Sequence, residues 1–207
     1  MSLLGDVVGS RRAPDRVALH ARLREVLTAV DAEVDSDPAL AVTVGDEFQG
    51  RYPTLGSALD AALRVRLALL PAVDVRIGLG RGPVVDLETG TGLQDGPGWW
   101  AAREAVEAIE ASARGGGLKS LRTAYRESAP ERAGTQDAVN AALACQDQLV
   151  GSLSERGLRL LAGLLAGATQ AELAAREGIS PSAVSQQVRT QGIGAILHAH
   201  GMLRRLP

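Results

Sequence analysis

Residues 41–50, AVTVGDEFQG, contain the segment on which the assignment of the fold depends. A short apolar run ends at Gly45 and is followed by two adjacent carboxylates, Asp46 and Glu47, before the aromatic Phe48. Taken alone, this pattern is typical of a hairpin turn with a solvated acidic tip. The other interpretation is that the hairpin presents its carboxylates to a ligand, and the flanking sequence favours this second interpretation.

Short apolar runs and segments with helical periodicity lie on both sides of the hairpin. We predict strands at SLLGDVV (2–8), VDVRIGLG (73–80) and GPVVDLE (82–88), and helices from Pro14 to about Val34 and from Pro53 to about Leu70. With the hairpin, the order is strand, helix, strand, strand, helix, strand, and a further strand and a helix from Pro97 follow. Two such half-units crossing over an antiparallel sheet form a ferredoxin-like palm, so we expect an α+β fold.

The predicted palm brings together two acidic residues that are forty positions apart in the chain. Its first strand contains Asp6 and lies beside the hairpin that contains Asp46, so we expect both carboxylates on one face of the sheet. Mg²⁺ prefers oxygen ligands, usually one or two carboxylates with water and phosphate supplying the rest. Gly9, Ser10 and the amides that follow could cradle a phosphate beside this pair, with the next two arginines adding positive charge.

The composition indicates a folded, cytoplasmic protein. Hydrophobic residues make up 45% of the chain and charged residues 22%, which excludes wholesale disorder, while aromatics are only 2%. The single cysteine, Cys145, cannot form an internal disulfide, and no group of cysteines and histidines has zinc spacing. The N-terminal apolar run is too short for a signal peptide, and no run has membrane-spanning length. We therefore expect no membrane partner.

The net charge of −2 is unevenly distributed along the chain. Residues 152–207 hold six arginines and three glutamates, a balance of +3, so the remainder carries −5. Residues 118–150 show only a loop and then a connecting helix. We place the domain boundary in this region, with a palm domain at 1–145 and a small all-α domain at 146–207, and the second domain is the one suited to phosphate-rich partners.

The C-terminal segment carries the signals of short helices joined by tight turns. Three helix starts are marked by capping residues: Ser154, Thr169 with Glu172 in a capping box, and Ser180 with Pro181. Gly178 lies in the turn between the second and third helices. Two short helices joined by a glycine-containing turn, the second rich in Ser, Gln and Arg, predict a helix-turn-helix.

The side chains of this helix-turn-helix are suited to DNA. We expect DNA contacts from Thr169, Gln170, Ser182, Ser185, Gln186 and Arg189. Gln can pair bidentately with adenine, and Arg contacts guanine or phosphate. The stretch TQAELAAREGISPSAVSQQV (169–188) also resembles the helix-turn-helix of many bacterial regulators, including the promoter-binding region of sigma factors. The alternative is a helical protein–protein module in which the same side chains face water.

The small positive charge of this module bears on its oligomeric state. With a balance of only +3, a monomer should bind DNA weakly. We therefore expect a homodimer, and the helix from Gly192 to Leu203 is one candidate for the interface.

Three segments, in this order, resemble the first strands and glycine-rich strand pair of class III nucleotide cyclases: LLGDVVGSRR (3–12), TVGDEFQG (43–50) and VRIGLGRGPVV (75–85). The second segment also resembles the signature hairpin of diguanylate cyclases. The resemblance implies that Asp6 and Asp46 bind Mg²⁺ or Mn²⁺. It also implies that a nucleotide contacts the loop after the first strand, at Gly9, Ser10 and Arg11.

Departures from the cyclase pattern bear on catalysis. Cyclases carry an asparagine four residues before an arginine on a late helix, and this pair stabilises the transferring phosphoryl group. Arg103 matches the arginine and is expected to contact the nucleotide, but Trp99 stands at the asparagine position. Val42 stands at the position of a lysine that recognises adenine. Losing one transition-state donor typically costs on the order of 10²–10³ in rate, so we expect the metal pair to be retained and the catalytic pair to be broken.

A resemblance to the SatD family covers nearly the whole chain. It rests on GDVVGSR (5–11), GDEFQG (45–50), RIGLGRG (76–82) and GPGWWAAREA (96–105). Many members of that family end in a helix-turn-helix. The resemblance supports the two-part architecture and leaves the ligand open.

The favoured hypothesis is a one-component transcriptional regulator in which the palm binds a nucleotide with a divalent cation and the tail binds DNA. One alternative is an active nucleotidyl cyclase, or another nucleotide-processing enzyme, with a regulatory tail. Another is a tail that serves only for oligomerisation.

Several side chains also have purely structural interpretations. Trp99 and Trp100 are suited to core or lid packing, with stacking on a base as the alternative. Arg103 is suited to an ion pair with Glu107, and Gln49 either to a hydrogen bond within the hairpin or to orienting a ligand or a water. We expect His198 and His200 at the surface, because no third metal ligand accompanies them.

Overall fold

The computed structural model describes residues 1–88, 93–115, 118–129 and 133–207. These residues form a mixed α+β structure with seven strands and eight α-helices. The strands are β1 (Ser2–Val7), β2 (Ala41–Val42), β3 (Phe48–Arg51), β4 (Val75–Arg81), β5 (Val85–Asp86), β6 (Gln94–Asp95) and β7 (Thr123–Glu127). The helices are α1 (Arg16–Asp31), α2 (Leu55–Leu69), α3 (Pro97–Arg114), α4 (Ala133–Gly151), α5 (Glu155–Leu165), α6 (Gln170–Glu177), α7 (Pro181–Thr190) and α8 (Ile193–Leu203).

Five strands form one sheet in the order β2-β3-β1-β4-β7. β1 pairs antiparallel with both β3 and β4, whereas β7 pairs parallel with β4. The sheet was predicted to be antiparallel, and the structure shows that it is mixed. β7 was missed because its first three residues, Thr123 to Tyr125, are all buried, so the strand lacks the alternation that marks a half-exposed strand.

The predicted hairpin strand is shorter than expected. β2 ends at Val42, and the next residues close a turn in which the Thr43 N–H donates to the carbonyl of Glu47 and the Glu47 N–H donates to the carbonyl of Val44. Gly45 takes a left-handed conformation with φ of 64°. The acidic pair therefore lies in the turn itself and directly before β3.

Helices cover both faces of the sheet. Leu3 and Val7 of β1 lie in the main core with α1 and α2, which the structure places on one face. Leu4, which points the opposite way along the same strand, packs with Ala102 and Val106 of α3. Asp6 follows Leu4 by two residues, and alternate residues of a strand point to the same face, so Asp6 lies on the face that α3 covers.

The glycines of β4 allow α3 to lie directly on the sheet. A Cβ atom on Gly78 would overlap the carbonyl oxygen of Ala102, and one on Gly80 would overlap the carbonyl oxygen of Gly98. Backbone atoms cannot yield as a flexible side chain does. The pattern RIGLGRG therefore has a packing role here, as the seat of α3.

The C-terminal helices pack onto α2. Leu63 and Leu67 of α2 belong to the same apolar cluster as the buried side chains of α5, α6, α7 and α8. The predicted boundary between residues 145 and 146 falls inside α4, which contributes Val139 and Leu143 to the main core and Val150 to the second cluster. The division into a domain at 1–145 and a domain at 146–207 stays a prediction.

The short C-terminal helices begin and end at the capping residues that the sequence indicates. Ser154 accepts from the Gly157 N–H, and Thr169 and Glu172 form a capping box. Gly178 ends α6 with φ of 66°, and Ser180 accepts from the Ala183 N–H at the start of α7. These caps make α6 and α7 two short helices separated by a tight turn.

The buried face of α8 is used within the chain. Ile193 and Ile196 pack in the cluster with α5, α6 and α7, while Leu203 reaches the main core. This face is therefore not available to a second copy, and the homodimer stays a prediction without an assigned surface. Among the residues that the structure describes, no helix combines the length and the apolar character needed to cross a membrane.

Candidate ligand-binding cleft

A polar cleft of about 470 Å³ lies at the end of β1, beside the turn between β2 and β3. Its lining includes five of the residues predicted to bind metal or nucleotide: Asp6, Gly9, Ser10, Arg11 and Asp46. Arg12, Glu47, Arg76 and Glu110 also line it. The structure thus brings both predicted metal ligands and the predicted phosphate loop to one place.

Strand register explains why the two aspartates meet. Gly5 of β1 lies opposite Phe48 of β3 in an antiparallel pair. Continuing that pairing by one and two residues brings the end of β1 alongside Glu47 and Asp46. The adjacency therefore follows from the sheet, since nothing local in either segment requires it.

Asp6 is bound by an arginine that the sequence analysis did not identify. The Arg76 guanidinium donates from Nε to Asp6 Oδ1 at 2.8 Å and from Nη2 to Oδ2 at 2.9 Å. Its Nη1 lies 2.6 Å from Glu110 Oε1. Asp6 and Arg76 are direct partners across β1 and β4, a relation that appears only once the register is known.

The charge state of Asp6 reflects this environment. Burial raises the pKa of Asp6 above its ordinary value, and the hydrogen bond from Arg76 opposes that increase. The negative charges of Glu110 and Asp46 raise it further. A cation bound here in addition to the Arg76 guanidinium would therefore reduce the repulsion among the carboxylates of Asp6, Asp46 and Glu110.

The carboxylates of the polar cleft suit a divalent cation that arrives bound to phosphate. No group of three or more His, Cys, Asp or Glu side chains arranged for a metal occurs among the described residues. Both oxygens of Asp6 already accept from Arg76, whereas Asp46 has no hydrogen bond or ion pair to any residue in the described ranges. The carboxylate of Asp46, which has no partner in the described ranges, lies beside that of Asp6, whose charge Arg76 partly neutralises. This pair suits an Mg²⁺ ion whose other ligands are water and phosphate.

The loop after β1 supplies positive charge. Gly9 adopts a left-handed conformation with φ of 71°, and Ser10, Arg11 and Arg12 form a short 3-10 turn. Arg11 and Arg12 are exposed at the cleft, and neither makes an ion pair with a described residue. Two uncommitted guanidinium groups on a tight loop suit a polyphosphate.

Arg103 lies just outside the cleft. It donates from Nη1 and Nη2 to the two carboxylate oxygens of Glu47, at 3.1 and 3.2 Å, and this hydrogen bonding raises its pKa. The structure thus pairs Arg103 with Glu47, while Glu107, the alternative partner, adds a weaker charge effect that also raises the pKa of Arg103. Glu47 lines the cleft, while Arg103 lines a neighbouring cavity of about 410 Å³.

The two tryptophans have different environments in that neighbouring cavity. Trp99 is 8% exposed, as the packing interpretation expected, whereas Trp100 is 56% exposed. The side chain of Gln49, half-buried on β3, lines the same cavity and has no hydrogen-bond partner among the described residues of the hairpin. Neither tryptophan lines the polar cleft.

The residues predicted to contact DNA lie on α6, α7 and the α6 cap. Thr169, Ser182, Gln186 and Arg189 are exposed, while Gln170 and Ser185 are half-buried. Val184, on the opposite side of α7, is fully buried. Ser182, Gln186 and Arg189 are therefore presented outward from a helix that is anchored by its apolar side. The Thr169 hydroxyl is already engaged with Glu172.

The expectation for His200 was wrong. Its side chain is 2% exposed, and Nε2 lies 2.9 Å from Asp60 Oδ1 of α2. Sequence reasoning missed this contact because the partners are 140 residues apart. His198, two positions earlier on α8, is exposed as expected.

Comparison with known proteins gives a family and a distant structural likeness. A family model described as the SatD family matches residues 1–205. Among solved structures, the chain is similar to a bacterial light-regulated adenylyl cyclase, with a TM-score of 0.43 and 16% sequence identity. That likeness covers 60% of this chain and 42% of the cyclase chain, so this chain matches less than half of the cyclase's length. No curated protein matches the sequence.

Proposed function

The chain belongs to the SatD family over residues 1–205, and we propose that it is a one-component transcriptional regulator of the bacterial type. Residues 1–145 bind a nucleotide together with a divalent cation, and residues 146–207 bind DNA. The observation that carries the proposal is the convergence of Asp6, Asp46 and the Gly9–Arg12 loop on one polar cleft.

The strand order supports a ferredoxin-like palm as the nucleotide-binding part. Elements β1, α1, β2, β3, α2 and β4 follow one another in the βαββαβ order, and the sheet neighbours β2-β3-β1-β4 are those of that fold. β7 extends the sheet beyond β4. The cleft then lies at the end of the first strand, opposite the layer formed by α1 and α2.

Charge complementarity supports a polyphosphate as the ligand group. Arg11 and Arg12 are free to contact phosphate oxygens, and the amides of the tight Gly9 loop lie beside them. A Mg²⁺ or Mn²⁺ ion would be held by Asp46, with Asp6 as its neighbour, and would neutralise phosphate charge. The carboxylate of Asp6 is kept in place by Arg76.

Two observations favour binding without cyclisation. Trp99 stands where the cyclase pattern requires an asparagine, and its side chain lines the neighbouring cavity. Arg103, at the arginine position, is committed to Glu47. An active nucleotide-processing enzyme remains the second candidate. It is favoured by the carboxylate of Asp46 and the guanidinium groups of Arg11 and Arg12, none of which has an ion-pair partner among the described residues.

The polar outer side of α7 supports DNA binding. Gln186 and Arg189 are exposed and lie about one helical turn apart, as required for side chains that contact adjacent bases or phosphates. The capping box of α6 and the left-handed turn at Gly178 determine the orientation of α7 relative to α6. Because the segment carries only +3, a dimer is expected to supply the affinity.

A partly buried ionic network offers a physical route between the two parts. Arg76 at the cleft lies two residues from Asp74, which binds Arg66 of α2 at 3.1 Å and Arg122 at 2.7 Å. Arg66 in turn binds Asp147 of α4 at 2.7 Å. For the ligand to regulate, this network or the packing around it must differ between two states, with a coupling of typically about 1–3 kcal/mol.

A thermal-shift titration tests the nucleotide proposal. ATP or GTP with Mg²⁺, at about a hundred times its dissociation constant, should add roughly 2.7 kcal/mol and raise the Tm by roughly 5–10 °C. Asp46→Ala should remove the Mg²⁺-dependent part of the shift, while Asp137→Ala, an exposed acid on α4, should leave it intact. The absence of a shift with any nucleotide would contradict the proposal.

A turnover assay on the same samples separates the sensor from the enzyme. Labelled ATP and GTP are incubated with the protein and Mg²⁺ or Mn²⁺, and we expect no product. Turnover that Asp46→Ala abolishes would establish the enzyme instead.

Retention of genomic DNA fragments tests the second half of the proposal. The full chain should retain a subset of fragments, and retention should weaken as salt rises. Gln186→Ala and Arg189→Ala should weaken it, whereas Thr190→Ala, a neighbouring exposed residue, should not. If no salt-sensitive retention occurs, the C-terminal helices serve oligomerisation instead.

A further inference from the structure

A second cavity lies on the same side of the sheet as the polar cleft. We call it the indole cavity; its volume is about 410 Å³, and it is lined by Leu4, Gln49, Gln94, Trp99, Trp100 and Arg103, among others. It holds both tryptophans of a chain in which aromatic residues are only 2%. Two of the few aromatic side chains of the protein therefore line a single cavity.

Trp99 has a buried hydrogen-bond donor without a partner. Its side chain is 8% exposed, and its indole N–H has no acceptor among the described residues. Buried polar groups in native proteins are nearly always hydrogen-bonded, because leaving one unpaired costs the desolvation of that group. A ligand in the indole cavity that carries an acceptor would satisfy this N–H.

Gln94 contributes an unpaired acceptor to the same cavity. Its Nε2 donates to Asp86 Oδ1 at 2.7 Å, which fixes the orientation of the amide. The Oε1 atom is buried and has no donor among the residues that the structure describes. Trp99 and Gln94, which both line the cavity, thus leave one buried donor and one buried acceptor unpaired among the described residues.

Trp100 offers a positioned aromatic surface. Its Nε1 donates to Asp95 Oδ1 at 2.8 Å, so the ring is held although its side chain is 56% exposed. A ring that is already held loses little conformational entropy when a second aromatic group stacks on it. Any nucleobase can stack on an aromatic side chain, because every base has a π-face.

The indole cavity and the polar cleft are neighbours. Leu4 lines the first and Asp6 the second, and these residues are two positions apart on β1, roughly 7 Å along the strand. The ion pair between Glu47 and Arg103 lies between them, with one partner lining each site. One ligand with a charged end and a planar end can therefore occupy both.

We infer that the indole cavity binds the base of the nucleotide whose phosphates the polar cleft holds, and that it favours adenine over guanine. This inference rests on the proposed function. Adenine carries an acceptor, N7, beside an amino donor, N6, whereas the same edge of guanine has two acceptors. One donor from Trp99 and one acceptor from Gln94 match adenine. Trp100 stacks on the ring, and Arg103 lies between the base and the phosphates.

The experiment is isothermal titration of the full chain with four probes: adenosine, ATP, GTP and inorganic tripolyphosphate, each with Mg²⁺. We expect ATP to bind more tightly than both GTP and tripolyphosphate. Because Trp99 and Trp100 are the only tryptophans, ATP and adenosine should also change the intrinsic fluorescence, whereas tripolyphosphate should not.

Three variants and a control locate the base. Trp100→Leu should weaken ATP binding by about 10-fold or more and leave tripolyphosphate binding unchanged. Trp99→Phe, which keeps an apolar ring and removes the N–H, and Gln94→Ala should each reduce the preference for ATP over GTP. Leu118→Ala, at an exposed apolar residue outside the cavity, should behave as the parent chain.

The outcomes separate the two proposals. If ATP binds but Trp100→Leu and Trp99→Phe bind it as the parent does, the base lies elsewhere and only this inference is overturned. If tripolyphosphate and ATP bind equally in every variant, the cleft is a phosphate site and the base subsite is again overturned. If no probe binds, the proposed nucleotide function fails, and the base subsite fails with it.

Discussion

Asp6 and Arg76 show how one side-chain pair sets the chemistry of the cleft. The Arg76 guanidinium neutralises part of the charge of Asp6, and Glu110 binds the same guanidinium from the other side. The carboxylate left free for a cation is that of Asp46. This is why the test of the cation uses Asp46, since a change at Asp6 would also release Arg76.

Asp147 is the residue whose titration should be visible in the stability of the whole chain. Its carboxylate accepts from Arg66 at 2.7 Å and from the N–H groups of Arg122 and Thr123, each also at 2.7 Å. Burial nevertheless raises the pKa of Asp147 from an ordinary value of 3.8 to about 6, against the opposing effect of these partners. We therefore expect the folded chain to keep a proton on Asp147 in a pH range where the unfolded chain has lost it.

The sign of the resulting pH dependence follows from that proton. Between about pH 4 and about pH 6, the contribution of Asp147 to the free energy of unfolding should fall as pH rises, by at most about 1.4 kcal/mol per pH unit, and then level off. Urea unfolding of the parent chain and of Asp147→Asn at about pH 5 and about pH 7 measures it. The variant should lack this part of the pH dependence.

Asp137→Asn provides the matched control for that measurement. Asp137 is an exposed acid on the same helix, and its variant should keep the pH dependence of the parent chain. Parallel pH profiles for the parent and Asp147→Asn would contradict the prediction.

At the scale of elements, the close contact between α3 and β4 positions both cavities. The glycines of β4 let the helix backbone lie on the strand, which places Trp99 and Arg103 at the indole cavity and Glu110 at the polar cleft. A helix seated higher would separate Arg103 from Glu47 and open the boundary between the polar cleft and the indole cavity.

Gly80→Ala should disturb this seat. The added Cβ would overlap the Gly98 carbonyl oxygen and the Ala102 nitrogen, so we expect a loss of about 1–3 kcal/mol in the free energy of unfolding. Gly201→Ala is the control, since a Cβ there meets nothing within 4 Å, and in a helix it should be neutral or stabilising by up to about 1 kcal/mol. Chemical denaturation measures both, and equal stabilities for the two variants would refute the packing role of Gly80.

At the scale of the whole molecule, α2 joins the two apolar clusters. Its Leu55 and Leu59 belong to the main core, and its Leu63 and Leu67 belong to the cluster of the C-terminal helices. The buried contact of Asp60 with His200 of α8 adds a polar connection across the same boundary. The chain is therefore expected to unfold as one unit.

Unfolding followed by two probes tests this cooperativity. Tryptophan fluorescence reports on α3 and far-ultraviolet circular dichroism on all the helices, and their urea midpoints should coincide. Leu63→Ala should lower both midpoints together, because it leaves a cavity worth about 2–5 kcal/mol at the junction. Two separated midpoints would show that residues 146–207 fold independently.

Local signals in the sequence determined much of the fold. The order of elements through β4, the positions of α1 and α2, and the caps at Ser154, Thr169 and Ser180 were all predicted, because periodicity and capping act within a few residues of the chain. The closeness of Asp6 and Asp46 was also predicted, but only through an assumed topology.

Only the tertiary structure decided the contacts between distant segments. The bidentate pairing of Asp6 with Arg76 depends on strand register, the ion pair of Arg103 with Glu47 depends on how closely α3 is seated, and the burial of His200 depends on α8 docking against α2. β7 escaped prediction because burial from both sides erases the alternation of an amphipathic strand. Patterns along a chain carry information about neighbours in sequence, whereas these features depend on which surfaces meet after folding.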